Sequence, residues 1–176
     1  LGNEIEQGPN SQNSNIIGYG LEGLSNPAPH QLYLVNNTIV NDRSTGSFIS
    51  VQSGTALLKG YNNIFAGPGT IISGAATTLD TSNNFYATVS NAGLVNAVTY
   101  DYHLLLSSGA INNGTSPGLA NTFSLTPVSE YVHPANMSSR IINAQLDIGA
   151  HEYGTTTGIN STEVNNPELN MYPNPT

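Results

Sequence analysis

Three side chains of complementary chemistry stand at similar spacing in the first half of the chain. They are the aromatic ring of Tyr33, the ammonium group of Lys59 and the carboxylate of Asp80. An aromatic ring stacks on the apolar face of a sugar, and an ammonium group pairs with a uronate. If the fold brings the three side chains together, they suit an acidic carbohydrate. The alternative is an ordinary solvated surface with one Lys–Asp pair, which contributes little to stability.

A repeated phrase predicts that the fold does bring them together. Each of the three residues lies four positions before an asparagine of this phrase. The phrase recurs at intervals of 22, 26 and 21 residues, a period typical of stacked repeats. The four copies are Ser14-Asn15-Ile16-Ile17, Asn36-Asn37-Thr38-Ile39, Asn62-Asn63-Ile64-Phe65 and Asn83-Asn84-Phe85-Tyr86. Asparagine tolerates a left-handed backbone, and its amide both donates and accepts hydrogen bonds. We therefore predict a structural ladder formed by Asn15, Asn37, Asn63 and Asn84.

The apolar residues predict the strands that would carry this ladder. A large apolar side chain follows each ladder asparagine by two positions, as Ile17, Ile39, Phe65 or Tyr86. Alternation along a strand turns such residues inward. The same alternation turns a second set inward, Leu32, Leu34, Ile49, Val51 and Leu58, and leaves Tyr33, Lys59 and Asp80 outside, about 5 Å apart on adjacent strands. Residues 1–88 are predicted to be coils of a parallel β-helix in an all-β protein.

Composition agrees with many short strands and excludes several classes of protein. The chain has 18 glycines, 10 prolines and 8% charged residues, without a long amphipathic helical pattern. Its formal net charge of −8, with three basic residues in all, argues against a nucleic-acid partner. No apolar run is long enough for a transmembrane helix. The absence of cysteine excludes disulfides and thiolate metal sites.

Residues 89–154 are predicted to form a cap over the last repeat. Three stretches resemble the choice-of-anchor Q region that closes many bacterial right-handed parallel β-helix proteins. They are Asp101-Tyr102-His103-Leu104, Ser107 to Gly114, and Asp147-Ile148-Gly149-Ala150-His151-Glu152-Tyr153. The resemblance implies that the coils are right-handed and that the chain is the C-terminal part of such a protein. The opening residues, Leu1-Gly2-Asn3-Glu4, predict that earlier coils and a signal peptide precede them.

The same segment carries a group of histidines and acids. His103, His133 and His151 fall near four acidic residues, Asp101, Glu130, Asp147 and Glu152. Such residues can bind a metal or act as acids and bases. They can also form a hydrogen-bonded network that fixes the cap. The network is favoured because no pair has a spacing that forces the side chains to converge.

The end of the chain carries a second resemblance. Residues 155–168 are rich in Thr, Asn, Gly and Ser and are predicted to be a flexible linker. Residues 169–176 contain Tyr172-Pro173-Asn174-Pro175 and resemble the start of the type A sorting domain of the type IX secretion system of Bacteroidetes. This resemblance implies export across the outer membrane to the cell surface or the medium. It also implies two partners, the translocon and its shuttle protein.

The sequence is compatible with two functions. The first is a non-catalytic surface protein that binds polysaccharide, and the second is a polysaccharide lyase or glycoside hydrolase whose catalytic coils lie mostly upstream. Right-handed β-helix lyases abstract a sugar proton with Lys or Arg beside cations held by carboxylates. No metal or cofactor is predicted for this chain, although calcium would be expected if the full-length protein is a lyase.

Overall fold

The regular secondary structure of the described residues is almost entirely β-strand, as expected for an all-β protein. The computed structural model describes residues 1–154. Two single-turn 3₁₀ segments, Val89–Asn91 and Ala97–Thr99, accompany the strands. In chain order the strands are β1 (Glu4–Gln7), β2 (Asn15–Tyr19), β3 (Gln31–Val35), β4 (Thr38–Asn41), β5 (Ser47–Tyr61), β6 (Ile64–Ala66), β7 (Thr70–Ser82), β8 (Phe85–Ala87), β9 (Leu94–Asn96), β10 (Asp101–Leu104), β11 (Leu119–Ala120), β12 (Phe123–Ser124), β13 (Ser129–Val132) and β14 (Asn136–Ser139).

The first sheet is parallel and has the order β1-β4-β6-β8. Its strands are in register, so that one row of apolar residues crosses the sheet: Ile5, Ile39, Phe65 and Tyr86. The spacing of the repeated phrase predicted that Ile17 would lie in this row, and that prediction is wrong. Ile17 lies in β2 of the second sheet, opposite Ile49. The strand that pairs with β4 is β1, which begins before the first copy of the repeated phrase.

The second sheet is also parallel and is built around the long strand β5. The first half of β5 pairs with β2 and its second half with β3, while β7 pairs with β5 along both halves. The register shifts between Val51 and Thr55, where the two halves meet. In the second half Tyr33 lies opposite Lys59, and Lys59 lies opposite Asp80.

The two central strands of the first sheet, β4 and β6, are buried on both faces, whereas Tyr86 in the edge strand β8 is exposed. On one face Ile39 and Phe65 pack with residues of the second sheet, including four of the five that were predicted to face inward: Leu34, Ile49, Val51 and Leu58. Leu32, the fifth, is half-buried beside them. On the other face Val40, Ile64 and Ala66 pack against residues of the 89–154 segment.

The segment 89–154, which we continue to call the cap, does not lie where the sequence predicted. It contains three short antiparallel pairs, β9–β10, β11–β12 and β13–β14. It was expected to cover the last repeat, but it lies across the outer face of the first sheet, from Glu6 in β1 to Asn83 before β8. The reason is that this sheet has a second apolar face, which the segment buries. Within residues 1–154 no helix is long and apolar enough to cross a membrane.

Glycines allow the corners of successive repeats to approach closely. At Gly67 (φ +116°) a Cβ atom would lie 2.1 Å from the carbonyl oxygen of Asn41, and at Gly74 (φ +86°) it would lie 2.0 Å from that of Val51. No side chain fits at these distances, and the left-handed torsions also favour glycine. The corners therefore fix the spacing and register of both sheets.

Candidate functional site

A column of asparagine side chains crosses the end of the first sheet. Asn3 donates from Nδ2 to Oδ1 of Asn37 (2.9 Å), Asn37 donates likewise to Asn63 (2.8 Å), and Asn63 donates to Asn84 (3.0 Å). The backbone N–H groups of Asn3, Asn37 and Asn63 donate to the same three oxygens. Asn63 also bonds the carbonyl oxygen of Leu34 and is fully buried. We call these four residues the amide column.

The amide column contains Asn3 where the sequence predicted Asn15. Asn15 opens β2 in the second sheet, where its Oδ1 accepts a hydrogen bond from Ser50 Oγ at 2.8 Å. Asn3 takes the expected place because it precedes β1, the strand that pairs with β4. Asn3 could have been found in the sequence, since Ile5 follows it by two positions, as an apolar residue follows each of the others.

The asparagine that precedes each of three column members does not take part in the amide column. Its role was not predicted from the sequence. Asn36, Asn62 and Asn83 have left-handed torsions, with φ of 52°, 55° and 48°. Their amides hold the 89–154 segment: Asn36 donates to Asp147 O (2.8 Å), Asn62 to Thr115 O (2.7 Å) and Asn83 to Asn113 O (2.9 Å). In each Asn-Asn pair the second residue joins the repeats and the first makes the turn and docks the cap.

Tyr33, Lys59 and Asp80 lie side by side on adjacent strands, as predicted, and we call them the Lys59 row. Their polar groups, however, bond to other groups of the protein. Lys59 Nζ lies 3.1 Å from Asp80 Oδ2 and 4.4 Å from the centre of the Tyr61 ring. Asp80 also accepts a hydrogen bond from the Tyr61 hydroxyl (2.7 Å), which with Lys59 lowers the pKa of this carboxyl. The Tyr33 hydroxyl donates to Gln31 Oε1. The arrangement is a surface ion pair with an aromatic neighbour.

The cap contains a group of buried ionisable residues: Glu130, Arg140, Asp147, His151 and Glu152. We call this group the cap charge cluster. Arg140 Nη2 lies 2.6 Å from Glu152 Oε1, and both side chains are fully buried. Arg140 also donates to the carbonyl oxygens of Gly149 and Ala150. Burial raises the pKa of Glu152 in spite of the adjacent guanidinium group.

His151 links this cluster to the first sheet. Its Nε2 lies 2.5 Å from Glu4 Oε1 in β1, and its Nδ1 lies 3.8 Å from Glu130 Oε2, which is an ion-pair distance. Burial alone would lower the pKa of His151, but the two carboxylates outweigh it and raise the pKa to about 9. The ring is therefore a cation at neutral pH, and it ties the cap to the edge of the sheet.

An open cleft lies beside this link, between β1 and the loops around β10 and β13. Its volume is about 560 Å³, and it is lined by Asn3, Glu4, Glu6, Tyr100, Tyr102, Tyr131 and His133. We call it the tyrosine cleft. A smaller hollow of about 260 Å³ adjoins it and adds Asp101 and His103 to the lining.

The side chains of the tyrosine cleft differ in exposure and in bonding. Tyr100 is 67% exposed, whereas Tyr102 is buried and its hydroxyl donates to Glu6. Burial and this hydrogen bond raise the pKa of Tyr102 well above its usual value, so it remains a donor. Asp101 Oδ1 lies 2.7 Å from His103 Nδ1, and the His103 ring stacks on His151 at 4.0 Å.

The predicted network of histidines and acids forms around one of the three histidines of the cap. His151 and its carboxylates form a network that fixes the cap, while His103 and His133 line the cleft and the hollow beside it. Among residues 1–154 no three His, Asp or Glu side chains are placed to hold a metal ion together. The sorting motif Tyr172-Pro173-Asn174-Pro175 lies outside the described residues and stays a prediction.

Comparison with protein-family models, with curated proteins and with solved structures found no match for this chain.

Proposed function

We propose that this chain forms coils of a right-handed parallel β-helix with a C-terminal cap, in a protein that is exported and binds polysaccharide. The observation that carries the fold proposal is the register. In both sheets each strand pairs in parallel with the strand one repeat further along the chain. The amide column links successive repeats side by side, and Gly67 and Gly74 each approach a carbonyl oxygen of the preceding repeat, as stacking in a solenoid requires.

Polysaccharide binding is supported by the character of the surface. A stacked fold offers a long, rigid face that matches an extended polymer. Exposed tyrosine and histidine rings stand beside carboxylates in the tyrosine cleft, and such groups contact the faces and hydroxyls of sugars. Lysine-dependent lyase chemistry is less well supported, because Lys59 is 15% exposed and paired with Asp80.

Binding is tested by electrophoresis of the folded chain through gels that contain a polysaccharide, over a panel of neutral, acidic and basic polymers. We expect at least one polymer to retard the chain relative to an inert protein of similar size and charge. Heat-denatured chain is the matched control, because it keeps the composition and loses the surface. Equal mobility in every gel would refute polysaccharide binding.

Export is proposed from the C-terminal motif. In a Bacteroidetes host that expresses the native gene, we expect the protein outside the outer membrane, and we expect truncation after Glu168 to leave it in the periplasm. A host that lacks the type IX translocon gives the matched control and should retain the intact protein. Normal surface delivery of the truncated protein would contradict the proposal.

A further inference from the structure

We propose that the tyrosine cleft is the polysaccharide site and that it takes an uncharged glycan. This inference rests on the proposed function and deepens it, since it names the site and the class of ligand. It departs from the acidic sugar that the Tyr33, Lys59 and Asp80 row suggested. Three observations support it: an exposed aromatic surface, hydrogen-bond acceptors in the lining, and the fact that every lysine and arginine side chain is bonded elsewhere in the protein.

The aromatic surface centres on Tyr100. Its ring is 67% exposed, and its backbone has a left-handed torsion, φ 61°. A bulky residue in this region is strained, and such strain is typical of positions that serve a function. Tyr131 and His133 stand on the other side of the cleft, with ring centres 6.4 Å apart and nearly perpendicular planes. These rings offer stacking faces to a sugar.

The polar lining of the cleft includes two carboxylates, Glu4 and Glu6, which accept hydrogen bonds. Glu6 accepts from the Tyr102 hydroxyl and Glu4 from His151, which leaves further lone pairs on each carboxylate. Asp101 adds a third carboxylate in the adjoining hollow. A ligand that matches this lining must donate hydrogen bonds. Sugar hydroxyl groups do so without bringing a negative charge close to the carboxylates.

The basic residues give the reason against an acidic glycan. The chain has three in all, and none of them lines the cleft. Arg140 is buried against Glu152, Lys59 is paired with Asp80, and Arg43 donates to the carbonyl oxygens of Ser11 and Asn13. A uronate in the cleft would face carboxylates without Lys or Arg to compensate for them. With a formal net charge of −8, the whole surface also repels polyanions.

The test compares two tyrosine variants on neutral polymers (β-glucan, xylan and mannan), on acidic polymers (alginate and polygalacturonate) and on chitosan. Tyr100→Gly removes the ring but keeps the left-handed torsion without strain, so the fold should survive. Tyr33→Ala is the matched control, because it removes the tyrosine of the Lys59 row. Circular dichroism and the melting temperature check that both variants fold.

We expect a neutral polymer to bind, and Tyr100→Gly to weaken that binding by about tenfold or more, as loss of an aromatic stacking partner does. Tyr33→Ala should bind as the wild type does. Affinity should stay constant from about 0.1 M to about 1 M salt, over which the Debye length shortens from ~10 to ~3 Å, because an uncharged ligand is not screened.

Other results overturn the inference in recognisable ways. Salt-sensitive binding to alginate, polygalacturonate or chitosan alone would exclude an uncharged ligand and leave polysaccharide binding intact. Loss of binding in Tyr33→Ala but not in Tyr100→Gly would move the site to the Lys59 row. Failure to bind any polymer would refute both this inference and the proposed binding function.

Discussion

The repeats and the cap are stabilised by different kinds of polar interaction. In the repeats the buried polar groups are uncharged amides and hydroxyls, and the amide column uses the same hydrogen bond three times over. In the cap they are mainly ions, and each contact of the cap charge cluster occurs once. Neutral amides do not titrate near neutral pH, whereas buried ions leave large uncompensated charges when a partner is lost. The two regions should therefore respond differently to mutation and to pH.

The largest difference should appear when a buried ion is removed. Arg140→Met removes the guanidinium group that pairs with buried Glu152 and donates to the carbonyl oxygens of Asp147, Gly149 and Ala150. We expect the free energy of unfolding to fall by about 3–5 kcal/mol, as for other broken buried ion pairs. Arg43→Met is the matched control, because Arg43 is half-buried and binds only carbonyl oxygens, and it should cost less than about 1 kcal/mol. Urea denaturation measures both values, and equal losses would remove the contrast between the regions.

The pH dependence of the cap should follow His151, which faces Glu4, Glu130 and the ring of His103. Its folded pKa of about 9 lies above the ordinary value of 6.5. The charged ring therefore stabilises the fold fully below about pH 6.5, and this stabilisation is lost as the pH rises through 9. The loss should be about 3 kcal/mol. Denaturation at a series of pH values measures it, and His151→Gln should flatten the profile over this range.

The amide column should be sensitive to mutation but insensitive to pH. Asn63→Ala removes bonds to Asn37, Asn84 and the Leu34 carbonyl, so we expect a loss of about 1–3 kcal/mol that stays constant between pH 6 and 9. Asn15→Ala provides the control, since Asn15 lies outside the column and should cost at most about 1 kcal/mol. If both variants lose the same stability, the column has no special role.

The smallest effect should come from the Lys59 row. Asp80 is 38% exposed, and solvent screens its pair with Lys59. Asp80→Asn should therefore reduce stability by no more than about 1 kcal/mol, with a smaller loss at high salt. A loss comparable to that of Arg140→Met would show that this row belongs with the buried ions of the cap rather than with the solvated surface. Melting temperatures at two salt concentrations decide between these outcomes.

The difference between the repeats and the cap also explains which features could be predicted from the sequence. Stacked repeats leave a periodic signal, so the all-β class, the parallel pairing and the row of Tyr33, Lys59 and Asp80 could be predicted from spacing. The error at Asn15 has a local cause. Its phrase resembles the others, but the strand that follows pairs in the second sheet. Alternation along a strand does not say which sheet the strand joins.

The cap leaves no periodic signal in the sequence. Its contacts join residues far apart in the sequence, such as Glu4 with His151 and Glu6 with Tyr102. Each contact occurs once and depends on where the cap docks. The docking position follows from the second apolar face of the first sheet, which a short apolar run such as Ile64–Ala66 indicates only weakly. The tyrosine cleft, which lies between the two regions, could therefore not be predicted from the sequence.

The amide column has an electrical direction. Asn3, Asn37 and Asn63 each donate from the side-chain amide towards the next repeat, and backbone N–H groups that bond the same oxygens fix this orientation. Asn84 ends the series and donates back to the carbonyl oxygen of Gly60. The individual dipoles consequently add along the stacking axis, and each bond polarises its neighbours. The three amide–amide bonds point the same way, so the end of the column at Asn3 differs electrically from the end at Asn84. A repeat stacked before Asn3 could extend the column only in this same direction, by donating an amide N–H to Oδ1 of Asn3.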